Sequence, residues 1–517
     1  MKGPECLYKE WNAMELELDR NQISCFNTVL DTVVPHEETM EMIVPDTCPD
    51  ILQIVHTCPN VLLKSREVQE GSVLISGCVR CGVLYLPEGE GPLQHMEVNI
   101  PFRCTVDAPG VAGSCLVCAE AQAQSADTRA LNSRKVLTRV NLILSVRAYA
   151  PAQLSFCTGA GEHALSGLQQ LRESRDTYVV VSVQEKPFTF SDTLPLPSDQ
   201  QEVSALLHSR ASLHCNESKI IGNKLIFKGR ADLQILCRTS QGQVLAASHQ
   251  LPFSQIMEVT GVGEEDHCSL DVQLTGLSCA LESGELSVTM EMLAQVVVRE
   301  SRTLELLTDL YSTAVPLNVE FAPLALCRLE EQGVKHQSVR EIVETEELTK
   351  GVLDAWAAVS GVDINREGDR VVFAAEAAVS MLCEGEDGKV IAVTRTIPVT
   401  CPAELPSGAL CACRCQLPAA VSATPTTGGL EIRLDVDLSY MAYRTEELSA
   451  VSDVQTGEEE ETAAGQVPSI VLRVMGRERL WDVAKSYRTT TVDILRANEL
   501  SEGESLNGRL LLIPRSR

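Results

Sequence analysis

Residues 71–102 read GSVLISGCVRCGVLYLPEGEGPLQHMEVNIPF. An apolar run leads into a polar turn with glycines, a second apolar run follows, and Ile100-Pro101-Phe102 closes the stretch. Glycine supplies the positive φ that tight turns between strands need, so the stretch is a β-hairpin. The pattern returns as GNKLIFKGRADLQILCRTSQGQVLAASHQLPF (222–253), closing on Leu251-Pro252-Phe253. It returns again as GDRVVFAAEAAVSMLCEGEDGKVIAVTRTIPV (368–399), closing on Ile397-Pro398-Val399. Three copies of one β unit decide the class of fold.

Downstream of each hairpin comes a strand region that alternates apolar and polar residues. These are SRKVLTRVNLILSVRAY (133–149), SGELSVTMEMLAQVVVRE (283–300) and GGLEIRLDVDLSYMAYR (428–444). Alternation marks a sheet with one covered face. Upstream of each hairpin, CPDILQIVHT (48–57), QQEVSALLHSRASL (200–213) and TKGVLDAWAAVSGV (349–362) have helical spacing, which predicts one helix per copy. A period of ~140 residues far exceeds solenoid periods of about 20–50, so each copy is expected to be a domain of its own.

The expected organisation is a lead at 1–20, repeats at 21–160, 175–315 and 320–448, an acidic linker at 449–467 and a small domain at 468–517. The expected fold class is mainly β or α+β: three tandem β-rich repeats with one helix each, plus a small βααβ domain. In the last domain, IVLRV (470–474) reads as a strand. Leu480, Val483, Ala484 and Tyr487 share one helical face, TTTVDILRAN (489–498) is a Thr-capped second helix, and RLLLIP (509–514) closes as a strand.

The chain has 517 residues, too many for one core, and a formal charge of −28, which argues against nucleic acid or an anionic membrane as partner. With three Trp, eight Tyr and nine Phe, the cores must be built from aliphatic residues. No apolar signal region opens the chain and no run reaches the ~18 apolar residues of a transmembrane segment, so a cytoplasmic location is expected. Met14, which opens MELELDRN, is an alternative start.

Twenty cysteines include Cys78-x-x-Cys81 and Cys115-x-x-Cys118, at zinc-knuckle spacing. Both pairs fall in segments read as strands, where residues i and i+3 point to opposite faces. Cys411, Cys413 and Cys415 share one face of a strand, as a row of small buried hydrophobes does. All are read as structural thiols, with no metal and no cofactor expected.

Three features of the tail, LWDVAKSY (480–487), the helix ending Leu495-Arg496-Ala497-Asn498, and GRLLLIP (508–514), resemble a LysM domain. The resemblance covers about the last 45 residues. It implies a βααβ fold that binds N-acetylglucosamine glycans such as peptidoglycan between the loop entering the first helix and the loop leaving the second. The site expected from it comprises Gly476, Arg477, Glu478, Arg479, Leu480 and Trp481 on the first loop, and Asn498, Glu499 and Leu500 on the second. A typical LysM domain has Gly-Asp-Thr before Leu-Trp; here Arg477-Glu478-Arg479 stand there, with Gly476 one place early. Arg477 fills the space of a small residue, and Arg479 sets a cation at a helix N-terminus, a cost of ~0.3–1 kcal/mol. Drift is one explanation. The other is that Arg477 and Arg479 read carboxylates on a protein, with Trp481 as a half-exposed anchor. Residues 468–517 carry nine Lys/Arg against six Asp/Glu, a net +3 that leaves −31 on the rest of the chain.

The three repeats resemble SPOCS domains, best at Val44-Pro45-Asp46-Thr47-Cys48-Pro49-Asp50-Ile51-Leu52-Gln53-Ile54-Val55. Three such domains and one LysM domain resemble the SipL-like family of spore-coat morphogenetic proteins. That resemblance implies a mother-cell scaffold at the forespore surface, in the spore coat, with stage IV sporulation protein A and other coat proteins as partners. Peptidoglycan is the alternative partner, for a wall-associated or phage tail or baseplate protein. A peptidoglycan-active enzyme needs a catalytic constellation. The sequence has no G-x-S-x-G, no H-E-x-x-H and no P-loop, so a non-enzymatic role is expected.

Overall fold

The computed structural model describes residues 16–514, except 90, 162–164, 166, 197–202, 283–284, 346–348, 369, 387, 458–469 and 502. The chain is mainly β. The first unit comprises β1 (Leu18–Ile43), β2 (Ile51–Gln69), β3 (Ser72–Pro87), β4 (Gln94–Asp107), β5 (Leu116–Asn132) and β6 (Lys135–Ala160). The second repeats it as β7 (Leu168–Pro195), β8 (Val203–Ile221), β9 (Lys224–Thr239), β10 (Val244–Glu258), β11 (His267–Glu282) and β12 (Glu285–Ser312). The third has β13 (Leu317–Val343), β14 (Thr349–Val359), β15 (Asp363–Glu367), β16 (Arg370–Gly385), β17 (Val390–Glu404), β18 (Leu410–Gln416), β19 (Ser422–Thr426) and β20 (Gly429–Thr456). The tail runs β21 (Ile470–Val474), α1 (Leu480–Ser486), α2 (Thr491–Ala497) and β22 (Leu510–Pro514).

In each unit the long first and last strands pair antiparallel into a ribbon, and the strand before the last joins its inner part. The hairpins seen in the sequence form separate antiparallel sheets, β2-β3-β4, β8-β9-β10 and β14-β16-β17 with β15. Each unit is therefore two sheets packed on an aliphatic core, such as Val73, Ile75, Val98, Ile100, Val140 and Leu144 in the first. The register also shows a packing compensation. Gly77 lies opposite Phe102 and Gly229 opposite Phe253, where a Cβ on either glycine would collide with the ring. At the third unit's equivalent pair, Ala375 faces Val399.

The expected helix in each unit is a strand. Residues of 48–57, 200–213 and 349–362 lie in β2, β8 and β14. The cause is a pair of β-bulges three residues apart in each strand: between Ile51/Gln53 and Ile54/His56, between Val203/Ala205 and Leu206/His208, and between Thr349/Gly351 and Val352/Asp354. Each bulge shifts the side-chain phase by one residue, so apolar positions recur with a spacing that mimics a helix. The boundaries shift as well. The ribbons span 18–160, 168–312 and 317–456, so Leu18–Arg20 and residues 449–456, assigned from sequence to the lead and the linker, are strand. Residues 1–15 of the lead and 458–467 of the linker lie outside the described residues.

The three units close around a common axis. Leu84, Leu236 and Leu382 each hold the thirteenth position of a sixteen-residue strand, and they meet in one buried cluster. The bulge residues Val55, Leu207 and Leu353 join them, as do Leu93, Val244 and Val390. Along the ribbons, Leu154, Leu304 and Leu448 meet in one layer, and Cys157, Leu307 and Val451 in another. Equivalent positions of three similar units touch one another only near a three-fold axis, so the chain is a trimer of units built from one polypeptide.

Polar triplets lie on the same axis. Glu120, Asp271 and Arg414 stand opposite the eleventh residue of β6, β12 and β20. Arg414 bonds Asp271 at 2.9 Å and Glu120 at 3.2 Å, and Arg147 bonds Asp271 at 2.6 Å. Burial alone pushes the Asp271 carboxyl up, but Arg414 and Arg147 outweigh it and hold the group well below the usual carboxylate range. His56, His208 and Asp354 follow the three bulges and pair in register with the axial leucines. Arg210 bonds Asp354 at 2.6 Å. Between the units lies an open cavity of about 1540 Å³.

Candidate functional site

The tail module has its own small core of Met475, Val483, Ala484, Ile494, Leu511 and Ile513. Helix α2 is capped by Thr490, whose Oγ1 accepts from the Asp493 backbone N–H at 3.0 Å and donates to its carboxylate at 2.7 Å. Helix α1 has Arg479 at its N-cap with no side-chain cap bond. Instead the Arg479 guanidinium makes a two-pronged bond to Asp482 at 2.9 and 3.0 Å, which offsets a cation placed against the helix dipole.

The structure separates the sequence-predicted site into three sets. Gly476, Arg477 and Glu478 form an exposed loop. Glu478 accepts two bonds from Arg473 at 2.8 Å, Gly476 has open space where a Cβ would stand, and Arg477 makes no hydrogen bond or ion pair among the described residues. The second set is structural. Asn498 donates to the Ile494 and Leu512 carbonyls at 2.8 and 2.7 Å and accepts from the Leu512 N–H at 2.7 Å, stitching α2 to β22. Glu499 takes a left-handed φ of 53° as the chain leaves α2, and Leu500, like Leu480, packs on the module core.

Trp481 forms the third set, and it is engaged within the chain. Its indole Nε1–H donates to Asp309 Oδ2 on β12 at 2.7 Å. Lys485 Nζ reaches Asp309 Oδ1 at 2.6 Å. The Tyr311 ring meets Trp481 edge-on with centroids 4.9 Å apart, and the Tyr311 hydroxyl donates to the Thr489 carbonyl at 2.7 Å. Burial and the Asp309 charge push the Tyr311 hydroxyl pKa up to about 12, keeping it a donor. Sequence reasoning missed Asp309 and Tyr311, although an Asp within the apolar run LLTDLY (306–311) was a visible signal.

Helices cover only the inner face of the β21–β22 ribbon. The outer face carries Ile470, Leu472, Val474 and Leu510, each more than half exposed, with Leu512 and Pro514 as cross-strand partners. A sheet face bathed in water is normally polar, so this face is an apolar patch. The consecutive apolar residues of LLLIP (510–514) already break the alternation that a one-sided ribbon should show.

The cysteines pack as the strand geometry requires. Cys81 is buried in the first core while Cys78 faces the other side of β3. Cys115, in the turn before β5, joins that core, and Cys118 packs across to Val180, Val183 and Val297 of the second unit. Cys411, Cys413 and Cys415 pack on the third core, and burial pushes Cys413 and Cys415 up to about 12. No group of three or more His, Cys, Asp or Glu suited to a metal ion occurs among the described residues.

Residues 50–130 and 202–282 match the family model described as SipL, SPOCS domain. The two matches cover corresponding elements, β2–β5 and β8–β11, so two of the three units are similar to a spore-coat-associated domain family. The third unit, which keeps the ribbon and the hairpin sheet and adds the short strands β15 and β19, lies outside the matches. No curated protein and no solved structure gives a significant match. No helix among the described residues is long and apolar enough to cross a membrane.

Proposed function

We propose that the chain is a non-enzymatic scaffold of spore-coat assembly. In this reading it acts in the mother-cell cytoplasm at the forespore surface, where its LysM-like tail docks to stage IV sporulation protein A and its three-unit body gathers other coat proteins and promotes encasement. The family match at equivalent places in two units supports the coat assignment. The docking role rests on the outer face of β21–β22, where Ile470, Leu472, Val474 and Leu510 offer an apolar surface suited to a protein rather than to a hydroxyl-rich sugar. The test is an affinity pull-down from sporulating cells with the full chain and with a version ending at Gly465. The full chain should retain stage IV sporulation protein A and the truncated one should lose it; equal retention refutes docking through the tail.

Peptidoglycan binding is the second reading, favoured by the open space at Gly476 on the loop entering α1. Sedimentation of the full chain, but not of the truncated one, with purified peptidoglycan would establish it.

A further inference from the structure

The contact between tail and body has the form of a receptor holding a ligand. Asp309 and Tyr311 are two residues apart on β12, so their side chains leave the strand on one face while Leu310 between them enters the axial core. Each finds a complementary group on the tail. The carboxylate is shared between the Trp481 indole N–H at 2.7 Å and the Lys485 ammonium at 2.6 Å. The phenol ring packs edge-on against Trp481, and its hydroxyl bonds the Thr489 carbonyl at 2.7 Å. Asp309 is only 8% exposed, so these charge-assisted bonds form largely out of water. The tail's net positive charge against a strongly acidic body favours the same pairing.

The geometry points to a peptide-reading groove on the tail, formed by Trp481, Lys485 and the Thr489 carbonyl, that recognises an extended acidic-x-tyrosine strand. In the closed molecule the chain's own Asp309-Leu310-Tyr311 fills it. A partner that presents the same motif on an extended segment competes for the groove and frees the tail from the body. Tethering gives the internal strand a high effective concentration, so the groove stays closed until such a partner is abundant or binds elsewhere as well.

This deepens the docking reading by naming the chemistry of the partner segment, and it fails separately. A tail that captures stage IV sporulation protein A but ignores the motif leaves docking intact and removes the groove.

The probe is a fluorescent peptide of residues 307–313, LTDLYST, titrated by anisotropy into full-length protein. In Asp309→Ala the internal ligand is crippled, and the peptide should bind at least tenfold tighter than to wild type. A peptide with Asn in place of its Asp should lose at least tenfold, and adding Trp481→Phe to the Asp309→Ala chain should lose a similar factor. Hydrogen exchange in α1 and α2 reports whether the module stays folded. Equal or absent peptide binding by wild type and by a folded Asp309→Ala protein overturns the proposal. Should Asp309→Ala unfold the module, Asp309→Asn, which keeps the side-chain volume, takes its place under the same criterion.

Discussion

Arg414 of the third unit donates to Asp271 of the second at 2.9 Å, and the two stand at equivalent positions of their units. Glu120, the first unit's equivalent, lies 3.2 Å from Arg414. Three copies of any one of these residues would bring like charges together at the axis. The mixed set favours one arrangement of unlike units over the association of identical ones. Asp271→Ala leaves the buried Arg147 without its carboxylate and the half-buried Arg414 with Glu120 alone, and should cost about 3–5 kcal/mol. The midpoint of urea unfolding measures it; a loss under about 1 kcal/mol would mean that water already screens the trio.

Acid should loosen the axis. Burial lowers His56 and His208 from 6.5 to about 4, with Asp354 opposing in both cases. Arg210 and His95 also face His208 and add to its lowering, and Cys58 lies beside Asp354 and Arg210. Between about 4 and 6.5 the unfolded chain binds more protons than the folded one, so stability is complete above pH 6.5 and falls as pH drops through this window. The Asp354 carboxyl, lowered from 3.8, adds its effect only at more acid pH. Melting temperature should fall from pH 6.5 towards 4.5, and the double variant His56→Gln/His208→Gln should flatten the slope. A flat wild-type profile over that range argues against neutral buried imidazoles.

Gly77→Ala should destabilise the first unit by about 1–3 kcal/mol, because the new methyl meets the Phe102 ring and the Leu62 carbonyl. Phe102→Val in the same chain should restore part of the loss, reproducing the Ala375–Val399 pair of the third unit. Thermal unfolding of the two single variants and the double variant gives the coupling. Additive effects would mean that the ring and the methyl do not share the space.

Of the two arginines on the rewritten loop, only Arg477 is available to a partner, since Arg479 is held by Asp482. Arg477→Glu should therefore weaken capture of an acidic partner, more at low salt than at high salt, and leave α1 intact by circular dichroism. Arg479→Glu should act through the helix, by removing its pair with Asp482. Identical, salt-independent losses in the two variants would exclude a direct role for Arg477.

The hairpins were legible because glycine turns and alternating residues are local signals, and the tail's order of strand, helix, helix and strand follows from its capping threonine and apolar spacing. The bulged strands misled because two phase shifts three residues apart imitate helical periodicity. The axis left a subtler trace. Val83-Leu84-Tyr85, Ile235-Leu236-Cys237 and Met381-Leu382-Cys383 break the alternation at one shared position, which marks a residue leaving its own core for a second interface. The candidate site was half legible. The loops around the helices were read from the motif, but their internal partner on β12 is about 170 residues away in sequence, and such pairing has no local signature.

The axial layers take one residue from each unit, so Leu84 and Leu236 stay uncovered until Leu382 has been synthesised and placed. Contacts this distant in sequence make folding slow and leave greasy surface in view while the ribosome is still working. A polypeptide released before its final third would display an incomplete stripe of leucines, the feature that chaperones and proteases recognise. Only a chain that reaches its last unit closes the stripe, because the third of these leucines comes from that unit.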